Sequence, residues 1–157
     1  MYSKKSSSNS KQMKPSGFFS SEDRKLIEKA VHEAEQDTSG EIRVHIDGKC
    51  KGDVLDAAAW VFGKLGMKKT KLRNGVLIYL AIEDRKFAIL GDAGINQKVP
   101  ANFWDDVKTT MEGYFRKGEF TQGLIHGISL SGHHLKKHFP HQKDDVNELP
   151  DEISFGK

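Results

Sequence analysis

The stretch from Gly75 to Ile82, GVLIYLAI, constrains the fold more than any other. An unbroken apolar run with no polar alternation is the pattern of a strand covered on both faces. It is far short of the ~18 apolar residues needed to cross a bilayer. Asn74-Gly75 leads into it, and Glu83-Asp84 makes a short turn after it, so Arg85 to Leu90 is expected to return as a hairpin partner. Upstream, Glu41 to Ile46 alternates strictly, with Ile42, Val44 and Ile46 on one face and Glu41, Arg43 and His45 on the other, as a half-buried strand does.

Helical spacing fills the intervals. Ser20 or Ser21 opens a first helix, with Glu22 and Asp23 at its positive end, and Leu26, Ile27, Ala30, Val31 and Ala34 form one stripe. Asp53 caps a second helix carrying Val54, Leu55, Ala58, Val61, Phe62 and Leu65, which Gly66 stops. A third is expected from Pro100, through Phe103, Trp104, Val107, Met111, Tyr114 and Phe115. A fourth runs from Glu119 to Lys137, where Gly123 and Gly127 would let a neighbour approach closely. The order α–β–α–β–β–α–α contains one β–α–β crossover, which makes its two strands parallel by the right-handed rule. The third strand pairs antiparallel. With helices on both faces this is an α/β fold, a three-layer α/β/α sandwich with a small mixed sheet and four main helices.

The 157 residues suit one domain, and 36% hydrophobic with 30% charged residues is a globular composition. Residues 1–17, rich in Lys and Ser, are expected to be a disordered basic tail; 18–139 form the folded domain; 140–157 are a polar extension in which Leu149, Pro150, Ile153 and Phe155 are able to dock. The tail lacks the apolar core of a secretory signal. A formal charge of +3 gives no reason to expect nucleic-acid binding. The single cysteine, Cys50, excludes an internal disulfide, and its Lys49 and Lys51 neighbours would favour the thiolate. A GxSxG elbow, a phosphate-binding loop and a GxGxxG turn are all missing.

The strand directions bring candidate chemistry together. Strand one enters at Glu41, strand two at Asn74-Gly75, and strand three exits at Gly91-Asp92, all at one end of the sheet, with Asp37 nearby. Asp105 and Asp106 open the next helix. Asp92, Asn74, Glu41, Asp105 and Asp106 are thus candidate ligands for a hard cation, Ca2+ or Mg2+. The Gly91-Asp92-Ala93-Gly94 turn is short enough to wrap an ion. His134 and His138 stand one helical turn apart, but without the Glu of a zinc-protease motif they read as complements to a helix C-terminus.

SGEIRVHI (Ser39 to Ile46), RNGVLIYLAIEDRKFAILGDAGI (Arg73 to Ile95) and FRKGEFTQGLIHGI (Phe115 to Ile128) together resemble the TPM domain family, formerly a domain of unknown function. NELPDEIS (Asn147 to Ser154) is similar to the ending of its short bacterial branch, and the resemblance spans Phe18 to Ser154. It implies a Rossmann-like sandwich. It associates the fold with divalent-metal binding, Ca2+ above all, at the acidic end of the sheet, with Asp92 first and Asn74, Glu41 and Asp105 next. It also implies acid phosphatase activity or photosystem II repair in a lumenal member, and membrane-anchored accessory roles in others. Neither a signal nor a hydrophobic C-terminal helix is seen here, so a membrane or repair role is not expected to transfer. The expectation is a cytoplasmic monomer that binds a divalent metal and acts as a non-catalytic, partner-binding module, the protein partner being unidentified. The alternative is a metal-assisted phosphomonoesterase in which Lys69, Lys71 and Arg73 meet the phosphate. A catalytic residue is not assigned, and no organic cofactor is expected.

Overall fold

The computed structural model describes residues 14–142 and 145–156. Helix α1 is the single turn Pro15–Phe18, and α2 spans Ser21–Glu35. Strand β1 is Glu41–Asp47, α3 is Val54–Lys64, β2 is Gly75–Ala81 and β3 is Lys86–Gly91. The short α4 (Ala93–Asn96) precedes α5 (Asp105–Arg116) and α6 (Phe120–His138), and β4 is Ser154–Phe155. The caps are those that short polar side chains make best. Ser20 accepts the Asp23 N–H at 3.0 Å, and Asp53 accepts that of Leu55 at 3.3 Å.

The sheet order is β3-β2-β1-β4. β1 and β2 are parallel, with Glu41 opposite Gly75 and Asp47 opposite Ala81. β2 and β3 are antiparallel, with Val76 opposite Gly91. β2 is buried along its whole length, as its composition requires. On one face Ile42, Val44, Ile46, Val76, Ile78 and Leu80 meet the apolar stripes of α2, α5 and α6. The two expected glycine contacts are present: a Cβ at Gly123 would fall 2.5 Å from the Phe115 ring, and one at Gly127 2.4 Å from Met111 Sδ. On the other face α3 lies over β3 and β2, enclosing Leu77, Tyr79, Ala81 and Ala88. The result is a three-layer α/β sandwich with a mixed sheet.

Three local features differ from the sequence reading. Helix α5 starts at Asp105, not Pro100, because the chain first makes two tight turns, Phe103 N–H to Pro100 O and Asp105 N–H to Asn102 O, both 3.1 Å. Of the expected tail, residues 1–13 lie outside the described residues, while Pro15 begins a helical turn and is buried. The C-terminal residues do more than dock: Ser154–Phe155 adds a fourth strand, parallel to β1, with His45 opposite Ser154 and Ile46 opposite Phe155. Leu149 fills the α3-side core, and Ile153 joins the larger one. No helix of the described residues is long and apolar enough to cross a membrane.

Candidate functional site: a carboxylate cluster under the C-terminal segment

The register places Glu41, Asn74 and Asp92 at one end of the sheet, as the strand directions require. Their side chains do separate jobs. Asp92 is almost fully buried, and its two oxygens accept Arg73 Nε at 2.8 Å and Nη2 at 2.9 Å. Oδ1 also accepts the Ala93 N–H at 2.7 Å and so caps α4. The 91–94 turn passes directly into α4. A Cβ at Gly94 would meet the Leu72 carbonyl at 2.1 Å. Arg73 itself holds a left-handed backbone, φ 51°, and its carbonyl accepts the Gly94 N–H at 2.8 Å. Asp106 is drawn away to α6, where its carboxylate pairs with His134 Nε2 at 2.7 Å. Asp105 stands in the first turn of α5.

Glu41 is buried, and it points to the C-terminal segment. Its Oε2 accepts the Glu148 N–H at 2.9 Å and its Oε1 the Leu149 N–H at 3.1 Å. Further carboxylates join from both sides. Glu35, in the last turn of α2, accepts the Ile42 N–H at 2.7 Å and lies near Asp151. Asp151 also takes Asn147 Nδ2 at 3.1 Å, and Glu148 accepts the Lys71 N–H at 3.1 Å. Four acidic side chains from three parts of the chain are therefore gathered at the β1 entry. A cleft of about 160 Å³ opens there, lined by Glu35, Glu41 and Asp145 with His32 and His141.

The electrostatics follow from this crowding. Burial pushes the Glu35 carboxyl up to about 10, reinforced by the hydrogen bond to Asp151 and by the charges of Asp151 and Glu41; the Ile42 N–H opposes the rise. Burial also raises Glu41 to about 7. The Glu148 and Leu149 N–H groups lower it, and the Glu148 and Asp151 charges raise it. A proton held on Glu35 relieves the repulsion between it and the neighbouring carboxylates. Close by, Asn74 is 1% exposed and donates to the Ser39 carbonyl at 3.2 Å, yet its Oδ1 has no partner. Among the described residues, no three His, Cys, Asp or Glu side chains already stand in a metal-holding arrangement.

The far end of the C-terminal segment is tied by a different network. The Asp47 carboxylate only accepts, so His45 gives it Nε2–H at 2.8 Å, and His45 Nδ1 shares a hydrogen bond of 2.9 Å with Ser154 Oγ. Tyr79 Oη donates to the other Asp47 oxygen at 2.6 Å. Burial opposes the Asp47 charge, but the His45 and Tyr79 hydrogen bonds outweigh it and hold the carboxyl below its ordinary value. Gly156 closes over this group, where a Cβ would lie 1.7 Å from Asp47 Oδ1. The network pins β4 to β1.

Glu41, Asn74 and Asp92 were legible from topology as one end of the sheet. Glu35, Glu148 and Asp151 were not singled out; the acidic density of NELPDEIS was the available signal. Cys50 is buried among Ala58, Phe62 and Tyr79, so its thiol is a core group and its lysine neighbours do not present it to solvent. His134 and His138 both lie against Phe103, and His134 is engaged by Asp106.

Known structures share this architecture. The NMR structure of the BA42 protein from the psychrophilic bacterium Bizionia argentinensis is 49% identical, covers 88% of this chain and 96% of its own, and superposes with a TM-score of 0.84. The N-terminal domain of a Porphyromonas gingivalis (P. gingivalis) protein matches at 18% identity and TM-score 0.65, covering 80% of this chain and 83% of its own. The N-terminal domain of a Corynebacterium glutamicum protein matches at 14% and 0.60, covering 90% and 82%. At such low identity these last two speak for the fold alone. No curated protein matches the sequence. The TPM domain model matches residues 13–132, most of the described sandwich, and the chain belongs to the TPM domain family.

Proposed function

We propose that this TPM domain is a divalent-cation-responsive, non-catalytic binding module, with Ca2+ preferred and Mg2+ as the second candidate. The cation would take the place of the proton held on Glu35. The observation that carries the reading is the convergence of Glu35, Glu41, Glu148 and Asp151 where the C-terminal segment crosses the β1 entry. Buried like charges are tolerated only when a proton or a cation compensates them. Carboxylate and amide oxygens are the donors Ca2+ takes, and the unpartnered Asn74 Oδ1 is a spare oxygen of that kind. Glu35, Glu148 and Asp151 would hold the ion, while Glu41, both of whose oxygens accept backbone N–H groups, would add its charge beside it. A bound ion supplies positive charge that cross-links the α2–β1 turn to the C-terminal segment. Of the residues first expected from sequence, Glu41 belongs to this site, and Asn74 adjoins it through Ser39. Asp92 has both oxygens occupied by Arg73, and Asp106 is held by His134.

The module's output would be the state of the C-terminal segment, fastened with cation and looser without it, on a surface open to a protein partner. Phosphomonoester hydrolysis finds less support, because the guanidinium of the basic loop is already committed to Asp92. The test is thermal unfolding of the full chain with and without Ca2+ or Mg2+, since a ligand of the folded state raises Tm. A saturable rise that disappears in Glu35→Gln is expected. No rise at millimolar cation would remove the proposal. Cation-dependent phosphate release from p-nitrophenyl phosphate that is lost in Glu41→Gln would replace it with the hydrolytic reading.

A further inference from the structure

Helix α3 is covered on one side only. Ala58, Val61 and Phe62 face the sheet. Leu55, Asp56, Ala59, Trp60, Gly63 and Lys64 are exposed, and their spacing makes one continuous strip along the helix. Trp60 is 65% exposed and Leu55 50%, and no other Phe, Tyr or Trp among the described residues is exposed. The middle of the strip is low: Ala59 has a single methyl, and a Cβ at Gly63 would meet nothing within 4 Å. Small residues in such a place let a second helix pack close. The charges of the strip are sorted by end. Asp53 and Asp56 stand at the N-terminal end, Lys64 closes the helix, and Lys68 and Lys69 lie in the 3-10 turn Met67–Lys69 just beyond. None of the ion pairs among the described residues uses Asp56, Lys64, Lys68 or Lys69. Lys64 Nζ rests over the Trp60 ring, 4.8 Å from its centre, and its charge is felt by Asp47. Lys49 and Lys51 lead into the acidic end, where Glu83 and Asp84 offset them; Asp84 accepts the Cys50 N–H at 2.6 Å, and the Glu83 N–H meets the Gly48 carbonyl at 2.8 Å.

We propose that this strip is the interface of a two-fold homodimer, in place of the monomer expected from sequence, with α3 of one copy packed antiparallel on α3 of the other. An antiparallel copy of the same strip sets each charged end against its opposite. A two-fold contact is isologous, so residues equally far from the axis meet. Asp56 and Lys64 lie four residues either side of Trp60, about 6 Å along the helix in each direction. With the axis at Trp60, each Asp56 faces Lys64 of the second copy, and the two indoles pack together. Leu55 of each copy comes alongside Gly63 of the other. Trp is among the residues most often found at the energetic centre of an interface. Lys64 leaves its own Trp60 at little cost, because a cation–π contact at an exposed site is weak. An anionic bilayer or polymer would suit the basic end alone and be repelled by the acidic one. The 11-residue helix is ~16 Å long, so the contact is small and the dimer weak, with a dissociation constant on the order of tens of micromolar.

The experiment is sedimentation velocity of the full chain from about 5 µM to about 1 mM at low salt. A shift from monomer to dimer over that range is expected, and Trp60→Ala should weaken it by about tenfold or more. Asp56→Lys and Lys64→Asp should each weaken it about tenfold, because one change sets like charges opposite each other twice in the dimer. The double variant Asp56→Lys/Lys64→Asp restores both pairs with their signs exchanged, and should return to within about threefold of the parent. All three positions are exposed, so none of the variants threatens the fold. A parent that stays monomeric at millimolar concentration would overturn the proposal. So would a Trp60→Ala chain that dimerises as the parent does, or a double variant that associates no more tightly than the single ones.

Discussion

Glu41, the first residue of β1, accepts the backbone N–H of Leu149 across 108 residues of chain at 3.1 Å, while the Leu149 side chain fills the core beneath α3. A buried strand-entry carboxylate is thus the anchor of the C-terminal segment. Replacing Glu41 with Ala leaves the Glu148 and Leu149 N–H groups without acceptors. A loss of about 1–3 kcal/mol is expected, read as a lower urea midpoint and faster amide exchange over residues 147–155. Glu41→Gln keeps one acceptor and should fall between the two.

The same acids make stability pH-dependent in the cation-free protein. Glu35 and Glu41 bind protons more tightly folded than unfolded, with values near 10 and 7 against an ordinary 4.5. Their stabilisation is complete below about pH 4.5 and is lost as pH rises, through about 7 for Glu41 and on towards 10 for Glu35. Glu35→Gln imitates the protonated form. It should therefore raise stability at pH 8 by about 1–3 kcal/mol and flatten the decline, with Tm measured from pH 5 to 9 as the check.

Asp92 separates two ideas of where a cation sits. In Asp92→Asn the paired contact with Arg73 is weakened, but the carboxylate cluster is untouched. Since the Arg73 side chain is 44% exposed, solvent screens the pairing and only a small drop in Tm is expected. Ca2+ affinity by calorimetry should change by less than about twofold, whereas Asp92 as a ligand would cost far more.

Ending the chain after Val146 removes Glu148, Leu149, Asp151, Ile153 and β4. Two buried aliphatic side chains are lost from the two cores, for an expected cost of about 3 kcal/mol or more. The cation-dependent rise in Tm should vanish with them.

The sheet was legible because GVLIYLAI leaves no choice but a doubly covered strand, and the β–α–β order then dictates which ends of the strands coincide. That is why Glu41, Asn74 and Asp92 could be assigned to one end of the sheet. What pattern cannot give is who pairs with whom. The partnership of Asp92 with Arg73, and of Asp106 with His134, depends on turns and helix packing rather than spacing. That the apolar residues of NELPDEIS dock was legible, but the strand that follows was not, because β4 has only two residues. The acceptors of the segment, Glu28 and Glu41, look like ordinary surface acids until it covers them.

The most direct measurement is a proton–nitrogen NMR titration with Ca2+ at pH 7.5, carried out in parallel on the parent protein and on Glu35→Gln. Saturable shifts at Ile42, Glu148, Leu149 and Asp151 in the parent, strongly weakened in the variant, are the result expected of a cation held beneath the C-terminal segment. Shifts confined to Gly91 through Ile95, or no saturable shift anywhere, would contradict it.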